Sequence, residues 1–393
     1  MFDSMTRKAT WRVLTIAATM ATMAMIALSG CKQKMDTKSA APGPVAASIA
    51  GSPAPAAVVG GPLKIGFVYG GLIGDGGSTY AHDLGRKALE AQFGDKIKTT
   101  FVENVADAAT AERVLRDLAA QGNTLIFGTN AVFLESMLKV AKDFPAVKFE
   151  DAGGTTMADN VGVYDARSYE GAYLSGLLAG AMSKSGKLGV VASTATADIF
   201  RDVNAFALGA QSSNAKASTR VVWINKGFDP AKEREAALGL IQQGADVLLQ
   251  TTDSPAPLQA AEEKGMRAIG WFSDMSKFGP KAQLVSATIN WAPCYTRIVS
   301  DLLAGNWKSE DISVGSKEEV IVMISLNPDV PATLKAAFDE KSAAIKAGSL
   351  QPFQGPISDQ AGKKVVAAGK VLEAKDLRSM NFYVKGIDGV VPK

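Results

Sequence analysis

Histidine is almost absent from these 393 residues: His82 stands alone. A zinc site, a Ser/His/Asp triad or a histidine general base would each have to be built on that one ring, and nothing near it in sequence completes such a set. No catalytic group and no metal site are therefore expected, and His82, on the first turn of a helix, reads as a surface or packing residue. A nucleophile elbow of the form G-x-S-x-G is missing as well. There are two cysteines. With Cys31 otherwise committed, Cys294 has no disulfide partner and reads as a small buried residue opening a helix. Excess charge is lacking too. The formal net charge is +3, and removing residues 1–30, which carry Arg7, Lys8 and Arg12 against Asp3, leaves about +1. That balance argues against a nucleic-acid partner, which needs a basic face.

The chain also has no apolar run of spanning length at its start. Val13 to Leu28 is rich in Ala, Thr and Met and falls short of the ~20 residues that cross a bilayer. It follows basic residues and ends in Leu28-Ser29-Gly30-Cys31, the pattern of a bacterial lipoprotein signal in which Cys31 is lipidated and becomes the first residue. Residues 1–31 are thus expected to be signal peptide and lipidation site, with the mature protein lipid-anchored on the periplasmic side of the envelope. Residues 32–62, built mainly of Ala, Pro, Gly, Ser and Val, have too little large apolar surface to fold and read as a flexible tether.

The chain beyond the tether is long enough for two lobes, and the composition, with 47% hydrophobic and 21% charged residues, is globular. Continuous apolar runs alternate with amphipathic stretches. The first set is Lys64 to Tyr69, Thr99 to Val102, Thr124 to Phe127, Val147 to Glu150 and Val161 to Tyr164. The second is Lys187 to Ala192, Arg220 to Ile224, Val247 to Leu249, Arg267 to Ile269 and Leu284 to Ile289. Runs without polarity alternation predict parallel strands buried on both faces. Helices are predicted over Tyr80–Phe93, Ala109–Gln121, Val132–Lys142 and Tyr169–Met182, with Asp229-Pro230 and Ser254-Pro255 as starts and Gly122, Gly244 and Gly265 as stops. The fold class is α/β, and the restart at Lys187 predicts two doubly wound lobes.

Open parallel sheets place ligands at the carboxyl ends of their strands. Those ends hold Gly70 to Tyr80, Thr129-Asn130, Glu150-Asp151 and Asp165 in the first set. In the second they hold Ser193 to Phe200, Asn225, Thr252-Asp253-Ser254, Trp271 to Asp274 and Asn290-Trp291. Gly71 to Ser78 has the spacing of a phosphate loop, but Gly77 stands where the lysine belongs, so phosphate loses its main partner. Aromatics make up 7% of the chain, yet Trp223, Trp271 and Trp291 sit at or beside strand ends with Phe200 and Phe272 near, which suits a flat heterocycle or a sugar.

From about Leu63 to Val390 the chain resembles the basic membrane protein family of ABC-transporter substrate-binding lipoproteins, whose known members bind purine nucleosides or nucleobases. The likeness is carried by Gly74-Asp75 before Tyr80-Ala81-His82-Asp83-Leu84-Gly85-Arg86, by Tyr169 to Gly176, by Phe228-Asp229-Pro230, by Thr252-Asp253-Ser254-Pro255 and by Lys277-Phe278-Gly279-Pro280. It implies the type I periplasmic-binding fold with a three-crossing hinge: residues 63–184 plus 291–308 as the first lobe, 185–290 plus 309–393 as the second. It implies ligand contacts from Asp75, Asn130 and Glu150 on the first lobe, and from Phe200, Asn204, Trp223, Asp253, Asp274 and Trp291 on the second lobe and hinge. Ser78, Tyr80, Trp271 and Phe272 complete the candidate site. Ser78 replaces an aromatic and Phe272 an aspartate that would suit ribose, which points away from a nucleoside and towards a free base or another flat ligand. The implied partners are a purine-like ligand and an inner-membrane permease, with no cofactor and a monomeric chain. A sugar-binding protein, a ligand sensor and a hydrolase remain the alternative readings.

Overall fold

The computed structural model describes residues 61–392. The expected signal peptide, Cys31 and all but the end of the tether lie outside them. The apolar runs become strands within a few residues of their expected positions: β1 (Leu63–Val68), β2 (Ile97–Val102), β3 (Leu125–Gly128), β4 (Lys148–Ala152) and β5 (Val161–Ala166), then β6 (Lys187–Ala192), β7 (Ser218–Trp223), β8 (Val247–Gln250), β9 (Arg267–Phe272) and β10 (Gln283–Ile289). Every residue of β3 and of β8 is buried, as strands covered on both faces require. Between the strands run α1 (Ser78–Phe93), α2 (Ala108–Ala120), α3 (Leu134–Asp143), α4 (Tyr169–Met182), α5 (Ala197–Ser213), α6 (Pro230–Gln242), α7 (Ala256–Lys264) and α8 (Ala292–Leu303). Asp229 caps α6 by accepting from the Lys232 N–H at 3.2 Å, and Gly265 ends α7 at φ 66.

A last stretch holds β11 (Asp311–Val314), β12 (Ile321–Ile324), α9 (Ala332–Lys346), β13 (Ile357–Ser358), β14 (Lys364–Val366), α10 (Ala374–Arg378) and β15 (Ile387–Asp388). Two large sheets result, ordered β11-β5-β4-β3-β1-β2 and β12-β10-β9-β8-β6-β7-β15. Only β12 runs antiparallel to its neighbour among these strands. Strand order reverses at β1 in one sheet and at β6 in the other, and the crevice at such a reversal is where doubly wound sheets take ligands. Helices cover both faces: α1 and α8 against α2 and α3 on the first sheet, α4, α5 and α9 against α6 and α7 on the second. Among the described residues no helix is long and apolar enough to cross a membrane.

The lobe boundaries differ from those expected at two places. Helix α4, assigned with residues 63–184 to the first lobe, packs into the core of the second against α5. The two backbones touch: a Cβ on Gly176 would lie 2.0 Å from the Phe206 carbonyl oxygen, and one on Gly209 would lie 2.0 Å from that of Tyr173. Small residues thus choose α4's partner by permitting an approach that any side chain forbids. Strand β11, assigned with 309–393 to the second lobe, pairs with β5 in the first sheet. The chain therefore passes between sheets after β5, after β10 and after β11.

Candidate functional site

A cavity of about 430 Å³ lies between the carboxyl ends of the two sheets, within the range of roughly 300–1,000 Å³ usual for small-molecule sites. Ser78, His82, Asn130, Tyr164 and Trp291 line it from one side, and Ser193, Arg201, Asp253 and Phe272 from the other. Ser78, Asn130, Ser193 and Asp253 follow β1, β3, β6 and β8, the strands flanking the two reversals of order.

The lobes touch around this cavity. The Ser78 N–H, at the start of α1, donates to Asp253 Oδ1 at 2.7 Å, and the Ser273 hydroxyl donates to the Gly76 carbonyl. Gly77 lets them meet, because a Cβ there would fall 2.4 Å from Asp253 Cα. Asp253 is in turn held from behind. Glu233, fully buried on α6, accepts from Thr252 Oγ1 at 2.8 Å and Ser254 Oγ at 2.6 Å, the residues on either side of it. Burial, and then the nearby charge of Asp75, push the Asp253 carboxyl up to about 7. A second bridge runs from Arg201 Nη2 on α5 to Asp165 Oδ2 on β5 at 2.9 Å. Asp198 and Asp202 also line the cavity beside it, and Asp202, raised well above the usual carboxylate range by burial, accepts from Ser168 Oγ at 2.7 Å.

One wall is aromatic. Trp291 lies flat on His82, ring centroids 4.6 Å apart at 9°, and stands edge-on to Tyr164 at 5.2 Å. Phe272 contributes from the second lobe with φ 67, left-handed backbone that costs a non-glycine residue roughly 1–3 kcal/mol.

Of the residues singled out from sequence, Ser78, Asn130, Asp253, Phe272 and Trp291 meet on the cavity, and the others do not. Asp75 sits behind the glycine loop and accepts from the Gly77 N–H at 2.8 Å, its carboxyl pushed up to about 6 by burial. It shapes the loop without lining the cavity. Tyr80 is half-buried on α1 and off the wall. Glu150 accepts from Trp307 Nε1 at 2.8 Å under the first sheet, where burial raises it to about 8. Phe200 and Trp223 pack on each other and Phe200 on Tyr383, while Trp223 Nε1 donates to the Tyr383 hydroxyl at 2.5 Å. Asn204 is fully buried, donating to the Phe382 carbonyl at 2.8 Å and accepting from the Val384 N–H at 2.9 Å. Trp271 is sealed in the second-lobe core, and Asp274 is exposed, accepting from the Ser276 N–H at 3.0 Å and from Ser325 Oγ at 2.7 Å. For Phe200, Asn204 and Trp223 the common reason is the stretch from residue 380 to 384, which occupies the face of α5 and β7 that would otherwise be open to ligand.

Sequence reasoning missed His82 and Arg201 as wall residues. The signal for His82 was there, since it stands four residues after Ser78 on α1 and so shares its face. Arg201 stands three residues after Asp198 on α5. Cys294 is buried at the start of α8, its thiol pushed up to about 12 by burial, and it is unreactive there. Among the described residues no group of His, Cys, Asp and Glu is gathered as metal ligands.

Two doubly wound lobes meeting on a cavity at their strand ends are the architecture of proteins that enclose a small molecule between halves. Residues 63–351 match the family model for ABC transporter substrate-binding proteins of the PnrA-like type, and the chain belongs to this Bmp family. It is 44% identical over 331 residues, covering 84% of this chain and 94% of the relative, to a purine-binding protein of Brucella abortus. It is 32% identical to a putative ABC transporter glucose-binding protein of Haloferax volcanii, over 84% of this chain and 81% of the relative. Among solved structures, an ABC transporter solute-binding protein from Conexibacter woesei is 25% identical with TM-score 0.61, covering 74% of this chain and 98% of its own. One from Aeropyrum pernix, 18% identical with TM-score 0.66 over 81% and 96%, shares the fold. The protein is thus an ABC-transporter substrate-binding protein of type I periplasmic fold, and membership of that class implies work outside the cytoplasm.

Proposed function

We propose that this protein captures a purine base between its lobes and hands it to an inner-membrane permease while tethered to the envelope through a lipid on Cys31, binding without catalysis and as a monomer. The observation that carries the reading is the pairing of a flat aromatic wall, His82 on Trp291, with a carboxyl that spans the lobes, Asp253 on the Ser78 N–H. An aromatic face and an edge acceptor are what a planar N–H heterocycle needs. The 44% identity to a protein named for purine binding supports the same ligand. Phe272 on the wall adds apolar surface where an acidic residue would have suited ribose, which favours a free base over a nucleoside.

Closure follows from where the contacts lie. A ligand that touches both faces gains its full contact set only with the lobes together, so binding shifts the population to the closed form, the surface a permease reads. The test is calorimetry with adenine, guanine, adenosine and glucose, alongside mass spectrometry of what the purified protein releases on denaturation. Purine bases should bind tightest. Tightest binding of glucose, or of adenosine over adenine, would overturn the assignment.

A further inference from the structure

Three hydrogen bonds behind the cavity wall leave one arrangement of protons that makes all of them. The Tyr164 hydroxyl lies 3.2 Å from the Gly128 carbonyl oxygen, which can only accept, so Tyr164 spends its single proton there. The Tyr295 hydroxyl lies 3.2 Å from that of Tyr164, so Tyr295 must donate to it. Its own proton is then spent. His82 Nδ1, 2.5 Å from the Tyr295 oxygen, must therefore carry the hydrogen and donate. The reverse chain, in which Tyr164 donates to Tyr295 and Tyr295 to His82, takes the Tyr164 proton away from the Gly128 carbonyl, so only the first arrangement makes all three bonds. All three side chains are buried, with His82 2% exposed. Burial also pulls the imidazole down to about 3, so the ring is uncharged and only one of its nitrogens is protonated. The remaining nitrogen, Nε2, takes no hydrogen bond from any described residue, and the ring that bears it lines the cavity between the lobes.

We propose that His82 sets ligand specificity by presenting Nε2 to the cavity as a fixed, uncharged acceptor, so that the ligand must bring a donor hydrogen to that edge, an N–H in the case of a purine base. The proposal rests on the reading of the cavity as the purine site. Tyr295, which stands off the cavity, and Tyr164, which lines it, are positioning residues here: together they hold the tautomer. Trp291 fixes the ring plane by covering one face. A neutral acceptor discriminates in a way a carboxylate does not. It draws no cation, and it rejects a ligand that offers only lone pairs at that edge, because two acceptors would then meet with no proton between them.

The single histidine makes the test unambiguous, since the imidazole region of a long-range ¹H–¹⁵N correlation spectrum of tag-free, ¹⁵N-labelled protein holds one ring. The expected result is a protonated Nδ1 and a bare Nε2 in the free protein, unchanged from about pH 5 to 8, with Nε2 shifting when adenine is added to saturation. Tyr295→Phe should let the proton move to Nε2 and weaken adenine binding roughly tenfold, the worth of one neutral hydrogen bond. A protonated Nε2 in the wild type, or a bare Nε2 that does not move on saturation with adenine, overturns the proposal. Should Tyr295→Phe fail to fold, the wild-type spectrum decides by itself. Absence of calorimetric heat with every purine base defeats the purine reading alone, and the free-protein tautomer still supports or sinks the acceptor.

Discussion

Two aromatic groups in this molecule look alike in sequence and do opposite work. His82, Tyr164, Trp291 and Tyr295 stack and edge against one another in the first lobe, and three of them face the cavity. Phe200, Trp223 and Tyr383 make an equally close set in the second lobe, yet none of the three lines it. The first group keeps one side free, whereas the second is covered by residues 380–384, fastened there by Asn204 and by the Trp223 indole. Clustering of aromatics at strand ends is therefore insufficient evidence for a ligand wall. What decides is whether a distant piece of the same chain has already taken the surface.

Removing the Trp291 ring should have the largest effect on capture. Trp291→Ala is expected to weaken adenine binding roughly 100-fold, in line with loss of a central aromatic anchor, while leaving the far-ultraviolet circular dichroism unchanged. Affinity within about threefold of wild type would place the ligand elsewhere. The second group should respond in the opposite sense. Asn204→Ala strips partners from the Phe382 carbonyl and the Val384 N–H and should cost about 2–3 kcal/mol in urea unfolding, with the affinity of the folded protein preserved. A large loss of affinity at unchanged stability would restore Asn204 to the site.

The smallest effect sought is one of pH. With the lobes together Asp253 is raised to about 7 by burial and then by Asp75 across the cleft, so parting the lobes should return it towards the ordinary value of 3.8. Closing therefore takes up a proton. Its contribution is complete below the lower value and is lost as pH rises through the upper one. Affinity should fall by no more than about tenfold per pH unit across that window, and Asp253→Asn should flatten the slope. Titrations in buffers of different ionisation enthalpy read the proton directly, and proton release on binding would contradict this closure.

Much of the architecture was legible because its signals are local. Continuous runs such as Leu125 to Phe127 and Val247 to Leu249 cannot sit half-exposed, so they announced strands covered on both sides, and caps such as Asp229 and Gly265 marked helix ends through bonds made within a turn. The stretch after β11 was not readable. Its strands β13 and β15 are two residues long and are held by distant side chains, as where Gln211 donates to the Lys385 carbonyl at 2.7 Å. The site divided along the same line. Loops following β1, β3 and β8 could be placed at strand ends from order alone, which found Ser78, Asn130 and Asp253.

The amino-acid sequence by itself determined the two doubly wound sheets, the loops at their reversal points and the family likeness, since hydrophobic period, capping and motif spacing act over a few residues at a time. Tertiary structure alone decided that α4 joins the second lobe, that Glu150 is sealed beneath Trp307, and that His82 is a wall residue rather than filler. Those outcomes depend on which surfaces a remote segment covers, and on which nitrogen or oxygen is left over when the hydrogen bonds of folding have been made.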